Sequence, residues 1–304
     1  MSEDIDKIVR LAAFEWLSKQ TQIHGDVLSR ELLAKGFIFR GERIPLVSPQ
    51  GIFKPKILPE IPLTITTSPE SKYDDGLGPG DLIHYRYRGT DPNHRDNKGL
   101  RKAMVEGTPL IYFIGVAPNK YIAFWPVYIV GDMPEQLTFK VAVDDSAYIN
   151  TSMTADEGYV SDTGAEARRA YITSIARHRL HQRSFRERVL HAYREQCACC
   201  KLRHPELLDA AHIIPDAKPE GMPIVKNGIS LCKLHHAAFD AYFLGIRPDY
   251  VIEIRKDVLD EEDGPMLIHG LKDMNNRKII MPSPHSLSPH PEFLERRYEE
   301  FRNI

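Results

Sequence analysis

The chain is short of cysteine, of long apolar runs and of net charge, and each shortage removes a class of protein. Only four cysteines occur in 304 residues, all between Cys197 and Cys232. A secreted disulfide scaffold would spread them along the chain. Apolar runs such as Pro109–Val116 and Ala123–Val130 are strand-length, far short of the ~20 residues of a membrane-spanning helix. The opening MSEDIDKIVR carries acids where a signal peptide carries positive charge and an apolar stretch. A soluble cytoplasmic protein is expected. The formal net charge of -2 does not by itself point to nucleic acid, and there is no internal repeat or low-complexity segment.

What is present is an ordered change of pattern. Ile5, Ile8, Val9, Leu11, Ala12 and Trp16 recur at helical spacing, and a second helix is expected over Val27–Leu33. From Phe37 to about Val143 short β-type runs alternate with turns; Leu63–Thr66, Asp81–Tyr87, Leu110–Val116, Tyr121–Val130 and Leu137–Val143 are the expected strands. A polar stretch follows, then a helix from near Glu166 to about Glu195, a short strand pair near Tyr250–Ile254 and a terminal helix from Pro291. The fold class is α+β, with an N-terminal domain over 1–150 built on a curved or barrel-like sheet, a linker at 151–165 and a second domain over 166–304. An apolar content of 42% over this length allows a core in each. Charge is uneven: between Glu166 and Arg194 there are eight arginines and two glutamates. Such a stripe either neutralises backbone phosphates or is a solvated helix face.

The cysteines pair with histidines at metal-ligand spacing. Cys197-x-x-Cys200 is followed after 31 residues by Cys232-x-x-His235. Two such half-sites supply the four tetrahedral sulfur and nitrogen ligands that structural Zn²⁺ prefers. Cys199 is the spare, a substitute for a neighbour at most. Interleaved with this set are His212, Asn227, His236 and Asp240. His212 ends a strand-like run closed by Pro215, Asn227 opens the turn into Ile229–Cys232, and His236 and Asp240 lie four apart on an expected helix, hence on one face. Phosphodiester hydrolysis needs a deprotonated water and a counter-charge on the phosphate. His212, kept neutral, suits the general base; His236 and Asp240 suit a divalent cation (Mg²⁺, Mn²⁺ or another transition ion); Asn227 suits a loop-fixing role that orients His212.

At these residues the sequence resembles the HNH, or ββα-metal, nuclease family. The spacing is His212-x14-Asn227-x8-His236, within the phrases Ala210-Ala-His-Ile213 and Asn227-Gly-Ile-Ser-Leu-Cys-Lys-Leu-His-His-Ala-Ala-Phe-Asp240. The resemblance covers about Gln196–Arg247 and implies products with 5′-phosphate and 3′-hydroxyl ends. It departs from the family at Ala211, where many members place a metal ligand just before the base. Asp240 is then the favoured second ligand, with Asp209 as the competitor.

The stretch Tyr73–Gly89 resembles the YDG signature of SRA domains, which bind modified cytosine by flipping it. The matching positions are Tyr73, Asp75, Gly80, Tyr85 and Gly89, continued by Asn97–Leu100 and Gly107–Pro109; no Ser-Gly-Gly precedes Tyr73, and the spacing to Gly89 is longer. The resemblance implies an SRA/PUA-like N-terminal domain. A flipped base needs aromatic walls and a polar group on its Watson–Crick edge, roles for Tyr73, Tyr85 and Asp75. Arg86, Arg88, Arg95, Arg168, Arg169, Arg177 and Arg183 are the candidates for backbone phosphates. Tyrosines alternating along a strand equally suit cross-strand packing. Together these features predict a modification-dependent endonuclease of double-stranded DNA in phage defence. One HNH centre cuts one strand, so a homodimer is expected. The competing expectations are an HNH nuclease whose first domain reads unmodified nucleic acid or a protein, and a zinc-stapled DNA-binding protein without catalysis.

Overall fold

A computed structural model describes residues 2–69, 82–144, 163–216, 218–262 and 264–304. They form two compact units, 1–180 and 181–304. Most of the expected linker and the expected base-pocket residues Tyr73 and Asp75 lie outside the described residues. Among those described, no helix is long and apolar enough to cross a membrane.

The first unit is α+β. Helix α1 (Ser2–His24) leads into β1 (Val27–Ser29) and α2 (Arg30–Lys35), then a hairpin of β2 (Phe37–Phe39) and β3 (Glu42–Ile44). The main sheet takes β1, β4 (Ile52–Phe53), β5 (Thr64–Thr67), β6 (Ile83–Arg86), β7 (Leu110–Ala117), β8 (Lys120–Met133) and β9 (Thr138–Val143). Its order is β4-β5-β7-β8-β9-β6, with β1 paired to the start of β8; β5 and β7 run parallel. Register shifts within β7–β8 and β8–β9 mark bulges. Bulges bend and twist a sheet, here into a curled half-barrel.

Every residue of β7 is buried, because both faces of the sheet are covered there. Tyr112, Ile114 and Val116 join one core with Tyr85, Phe139, Val141 and Leu180; Ile111 and Phe113 join the other with Val9, Leu17, Leu28 and Tyr121. A strand buried on both sides reads as an unbroken apolar run, as Leu110–Ala117 does. Arg10 of α1 is fully buried. Its guanidinium donates to the carbonyls of Pro62 and Pro109 at 2.8 and 3.2 Å and pairs with Asp6 at 2.5 Å. A buried charge is tolerated when paired and hydrogen-bonded in this way.

Two expectations need correction. Val27–Leu33 is not one helix: Val27–Ser29 pair with Lys120–Ile122, and Ser29 then caps α2 by accepting from the Leu32 N–H at 3.2 Å. The stretch read as turns and strands also contains helix α3 (Arg95–Glu106). Gly99, mid-helix, weakens the local helical signal. The packing explains it, since a Cβ there would sit 2.9 Å from Pro62 Cδ.

Helix α4 (Thr163–Ala192) spans the division between the units. Ala176 and Leu180 belong to the core of the first, and Phe185, Val189 and Leu190 to that of the second. The second unit then runs β10 (Leu208–His212), β11 (Gly228–Cys232), α5 (Lys233–Asp240), β12 (Leu244–Ile246), β13 (Ile252–Ile254), α6 (Lys256–Asp260), α7 (Pro265–Gly270) and α8 (Pro291–Arg302). β10 and β11 are antiparallel, with Leu208 opposite Cys232 and His212 opposite Gly228. Arg186 of α4 anchors this pair by donating to the carbonyls of Pro205 and Leu208 at 2.8 and 2.9 Å.

Candidate active site

The four expected zinc ligands converge. Cys197 and Cys200 lie on a turn closed by the Lys201 N–H donating to the Cys197 carbonyl at 3.0 Å, with Lys201 itself at φ 66°. Cys232 ends β11 and His235 lies in the first turn of α5. Their ligand atoms all fall within 4.8 Å of one another. A tetrahedral zinc with bonds of ~2.3 Å to sulfur and ~2.0 Å to nitrogen sets S···S near about 3.8 Å and S···N near about 3.5 Å. The Cys200 and Cys232 sulfurs are 3.9 Å apart, and His235 Nδ1 is 3.6 Å from Cys197 Sγ and 3.1 Å from Cys232 Sγ. The donor set and its spacing therefore fit such an ion.

The other His235 nitrogen settles the tautomer. Nε2 lies 2.8 Å from the Gly270 carbonyl on α7, so it carries the proton and leaves Nδ1 free to ligate. Without an ion, burial works against the imidazolium, but hydrogen bonds with Cys200 and Cys232 prevail and push the His235 pKa up to about 10. The Cys197 and Cys200 thiols are also raised, chiefly by hydrogen bonds with Cys199 and Cys197 respectively. A metal entering this cluster must displace those protons.

His212 closes β10, opposite Gly228 and at the other end of the ladder from Cys232. Its ring stacks on Phe185 of α4 at 4.0 Å between centroids and 18° between planes, and its Nε2 is buried without a hydrogen bond among the described residues. Burial lowers the His212 pKa and His236 adds to this, against Asp216, Asp240 and Asp209. The stack needs a close approach of α4. At Gly228, opposite His212, a Cβ would stand 2.5 Å from Val189 Cγ2 and 2.8 Å from Phe185 Cζ.

Asn227 is fully buried. Its Oδ1 accepts from the Ile214 N–H at 2.8 Å, and its Nδ2 donates to the carbonyls of Ile214 and Met222 at 3.0 and 3.1 Å. Those bonds fasten the backbone just after His212. On α5, His236 and Asp240 meet one turn apart, Nε2 to Oδ2 at 3.2 Å. Asp209 faces the other nitrogen of the same ring, Oδ2 to Nδ1 at 3.8 Å, while also pairing with Lys233 at 3.0 Å. Burial opposes the Asp209 carboxylate, yet Lys233 and the Ala210 N–H hold its pKa below the ordinary value.

The arginines expected at phosphates are in varied surroundings. Arg86 is exposed on β6, and Arg95 is exposed beside Asp96 at 3.2 Å. Arg88 pairs with Asp96 and with Gln50. Arg169 pairs with Asp144 at 2.9 Å over the Tyr128 ring, and Arg183 is exposed. The side chains of Arg168 and Arg177 lie outside those described. Tyr85 is 5% exposed, its ring edge-on to Tyr112.

An HNH endonuclease family model matches residues 197–247. Those residues form an HNH endonuclease domain, and the chain is accordingly an endonuclease, a phosphodiester hydrolase acting on DNA. No curated protein matches the chain. Among solved structures, the modification-dependent TagI restriction endonuclease aligns over 79% of this chain and 82% of its own, at 15% identity and a TM-score of 0.31. A superposition that loose carries no weight for either fold or activity.

Phe185, Gly228 and Gly270 escaped the sequence reading. The only available signal was for Gly228, a glycine opening a buried strand, which marks close approach of another element. Gly228→Ala should lower stability by about 1–3 kcal/mol through overpacking, read from its urea unfolding midpoint. An unchanged or raised midpoint would mean that α4 yields to the added methyl.

Proposed function

We propose that the protein is a modification-dependent DNA endonuclease with His212 as general base, a divalent cation held by His236 and Asp240, and a structural zinc held by Cys197, Cys200, Cys232 and His235. The observation that carries the reading is a buried, Phe185-stacked His212 at the end of the β10–β11 hairpin whose other end leads through the Cys3His cluster into the His236–Asp240 helix. Nitrogen and carboxylate donors suit Mg²⁺, Mn²⁺ or another divalent ion.

His212 takes the proton from the attacking water, so its free lone pair is the functional atom. Burial keeps the ring from protonating and the Phe185 stack keeps it from turning. Asn227 holds the chain after His212 through the Ile214 backbone, which fixes the direction of the ring. The cation supplies counter-charge to the phosphate. Asp209, facing His236 Nδ1, takes the part of a supporting acceptor that orients the ring, leaving Nε2 and Asp240 as donors. That division answers the absence of a ligand at Ala211.

In this reading residues 1–150 select the DNA, 151–165 link, and 166–304 cut. The N-terminal domain is SRA/PUA-like and reads a flipped, modified cytosine with Tyr73 and Asp75. Tyr85, packed on Tyr112, supports the pocket from within the sheet. Exposed Arg86, Arg95 and Arg183 meet phosphates. Two copies cooperate for a double-strand break, as a restriction activity against phage requires.

Four measurements test the reading. His212→Ala should cut about 10²–10⁴-fold more slowly with circular dichroism unchanged. Because its pKa is depressed, His212 stays neutral as pH falls through ~6.5, the ordinary imidazole value, so the acid limb of the wild-type rate should lie below that pH. Undiminished cleavage by the variant would leave a DNA-binding protein without catalysis at this site. Metal analysis after exhaustive dialysis should find one zinc per chain, and its removal by a strong chelator should unfold the second unit; zinc-free, folded protein would remove the staple. Matched plasmids with unmodified, methylated, hydroxymethylated and glucosylated cytosine should be cut unequally. Equal cutting would reassign the first domain to unmodified nucleic acid or a protein partner.

A further inference from the structure

We infer that Arg297, on the terminal helix α8, is a positioning residue for the cation site, which extends the nuclease centre beyond residues 197–247. The inference rests on the reading of His236 and Asp240 as cation ligands. Arg297 is 6% exposed. Its Nη2 donates to the Phe239 carbonyl at 3.0 Å and reaches the Asp240 carbonyl at 3.5 Å. These are among the last carbonyls of α5, at the negative end of its dipole; the Phe239 carbonyl also accepts from the Tyr242 N–H at 3.3 Å, so Arg297 adds charge to a carbonyl that the chain already caps. Helix α5 has no basic residue of its own in its last turn. Arg297 supplies that charge from 57 residues away.

The guanidinium is fixed as well as charged. It lies 4.1 Å from the centroid of the Tyr242 ring and 4.8 Å from that of Phe239. Its Nη2 faces Asp240 Oδ1 at 3.9 Å, while Asp240 Oδ2 faces His236 Nε2 at 3.2 Å. One carboxylate oxygen is thus turned to the arginine and the other is presented beside the imidazole. Asp240 is 60% exposed in its side chain, so burial does not fix its rotamer. Lysine carries a compact ammonium in place of the flat guanidinium fork, so it does not reproduce carbonyl bonds together with stacking on two rings.

The same helix also restrains the other side of the centre. Glu300 accepts from Tyr242 Oη at 2.6 Å and from Lys218 Nζ at 2.5 Å. Lys218 belongs to the segment that joins His212 to Asn227. Arg297 leaves its buried Nε without a partner among the described residues, and its Nη1 reaches Glu300 Oε2 only at 4.0 Å; a buried charge is a poor way to add stability alone, since an apolar replacement often serves as well. A positioning role gives the arginine a use that packing does not.

The test is Mn²⁺ affinity of the full-length, zinc-loaded protein, measured by electron paramagnetic resonance without DNA. Arg297→Met should weaken Mn²⁺ binding about 10-fold or more, the size seen when a residue supporting a ligand is removed. Arg297→Lys, which keeps charge and bulk, should not restore it and serves if the methionine variant does not fold. Asp240→Asn should also weaken binding, and the double variant should be no weaker than Asp240→Asn alone, because both changes act on one carboxylate. Wild-type Mn²⁺ affinity in either folded Arg297 variant, even with a lowered melting temperature, overturns the inference. Independent losses that add in the double variant overturn it too. Wild-type affinity in Asp240→Asn would instead remove the ligand reading beneath it.

Discussion

The second unit depends on gathering four soft donors from two distant segments into one small volume. Cys197 and Cys200 come from a turn after α4, Cys232 and His235 from the junction of β11 and α5. The two segments are also joined by the backbone, with the Ala198 N–H donating to the Ser230 carbonyl at 2.7 Å. That junction sets the start of α5, and the start of α5 sets where His236 and Asp240 emerge. Adjacent histidines face different partners because a helix turns by about 100° per residue: His235 toward the sulfurs and Gly270, His236 toward Asp209 and Asp240. In the proposed function, two metal chemistries would thus be separated by one peptide bond. Soft thiolates suit one ion and carboxylate with imidazole suits another, so the ligand types themselves keep the sites distinct.

The proposed base is built on a different logic. His212 is held by an aromatic face, and its buried Nε2 has no hydrogen bond among the described residues. Burial favours the neutral ring, while Asn227 works on the backbone one and two residues beyond it. A hydrogen-bonded carboxylate at the same position would stabilise the imidazolium and raise the pH at which the ring becomes protonated and unable to accept a proton. Asp209 is instead engaged with Lys233, Arg186 and His236.

Local signals were legible and distant ones were not. The doubly buried strand Leu110–Ala117 announced itself as an apolar run, and the paired half-sites at 197–200 and 232–235 announced themselves by residue type and spacing. The helix at 233–240 followed from the same window. Helix α3 was hidden because Gly99 answers to Pro62 rather than to its own neighbours. Val27 and Leu28 pattern as helix, yet they pair with a strand more than ninety residues on. The Gly270 carbonyl has no signature, since any residue carries one. Arg297 reads as one arginine in an amphipathic helix, and only the fold brings it to the end of α5. Tyr85 shows the reverse: a signature position whose ring is used for packing.

The hydrogen bond from His235 to the Gly270 carbonyl has a consequence for modularity. The tautomer of His235, inside the HNH window, is fixed by a backbone oxygen 35 residues downstream, and His212 inside it is seated on Phe185 upstream. The motif is therefore shorter than the unit that can be inherited or transplanted whole. Exchange of residues 197–247 between chains would carry the ligands and leave their supports behind. Natural recombination that preserves function would have to break outside Phe185 and Gly270.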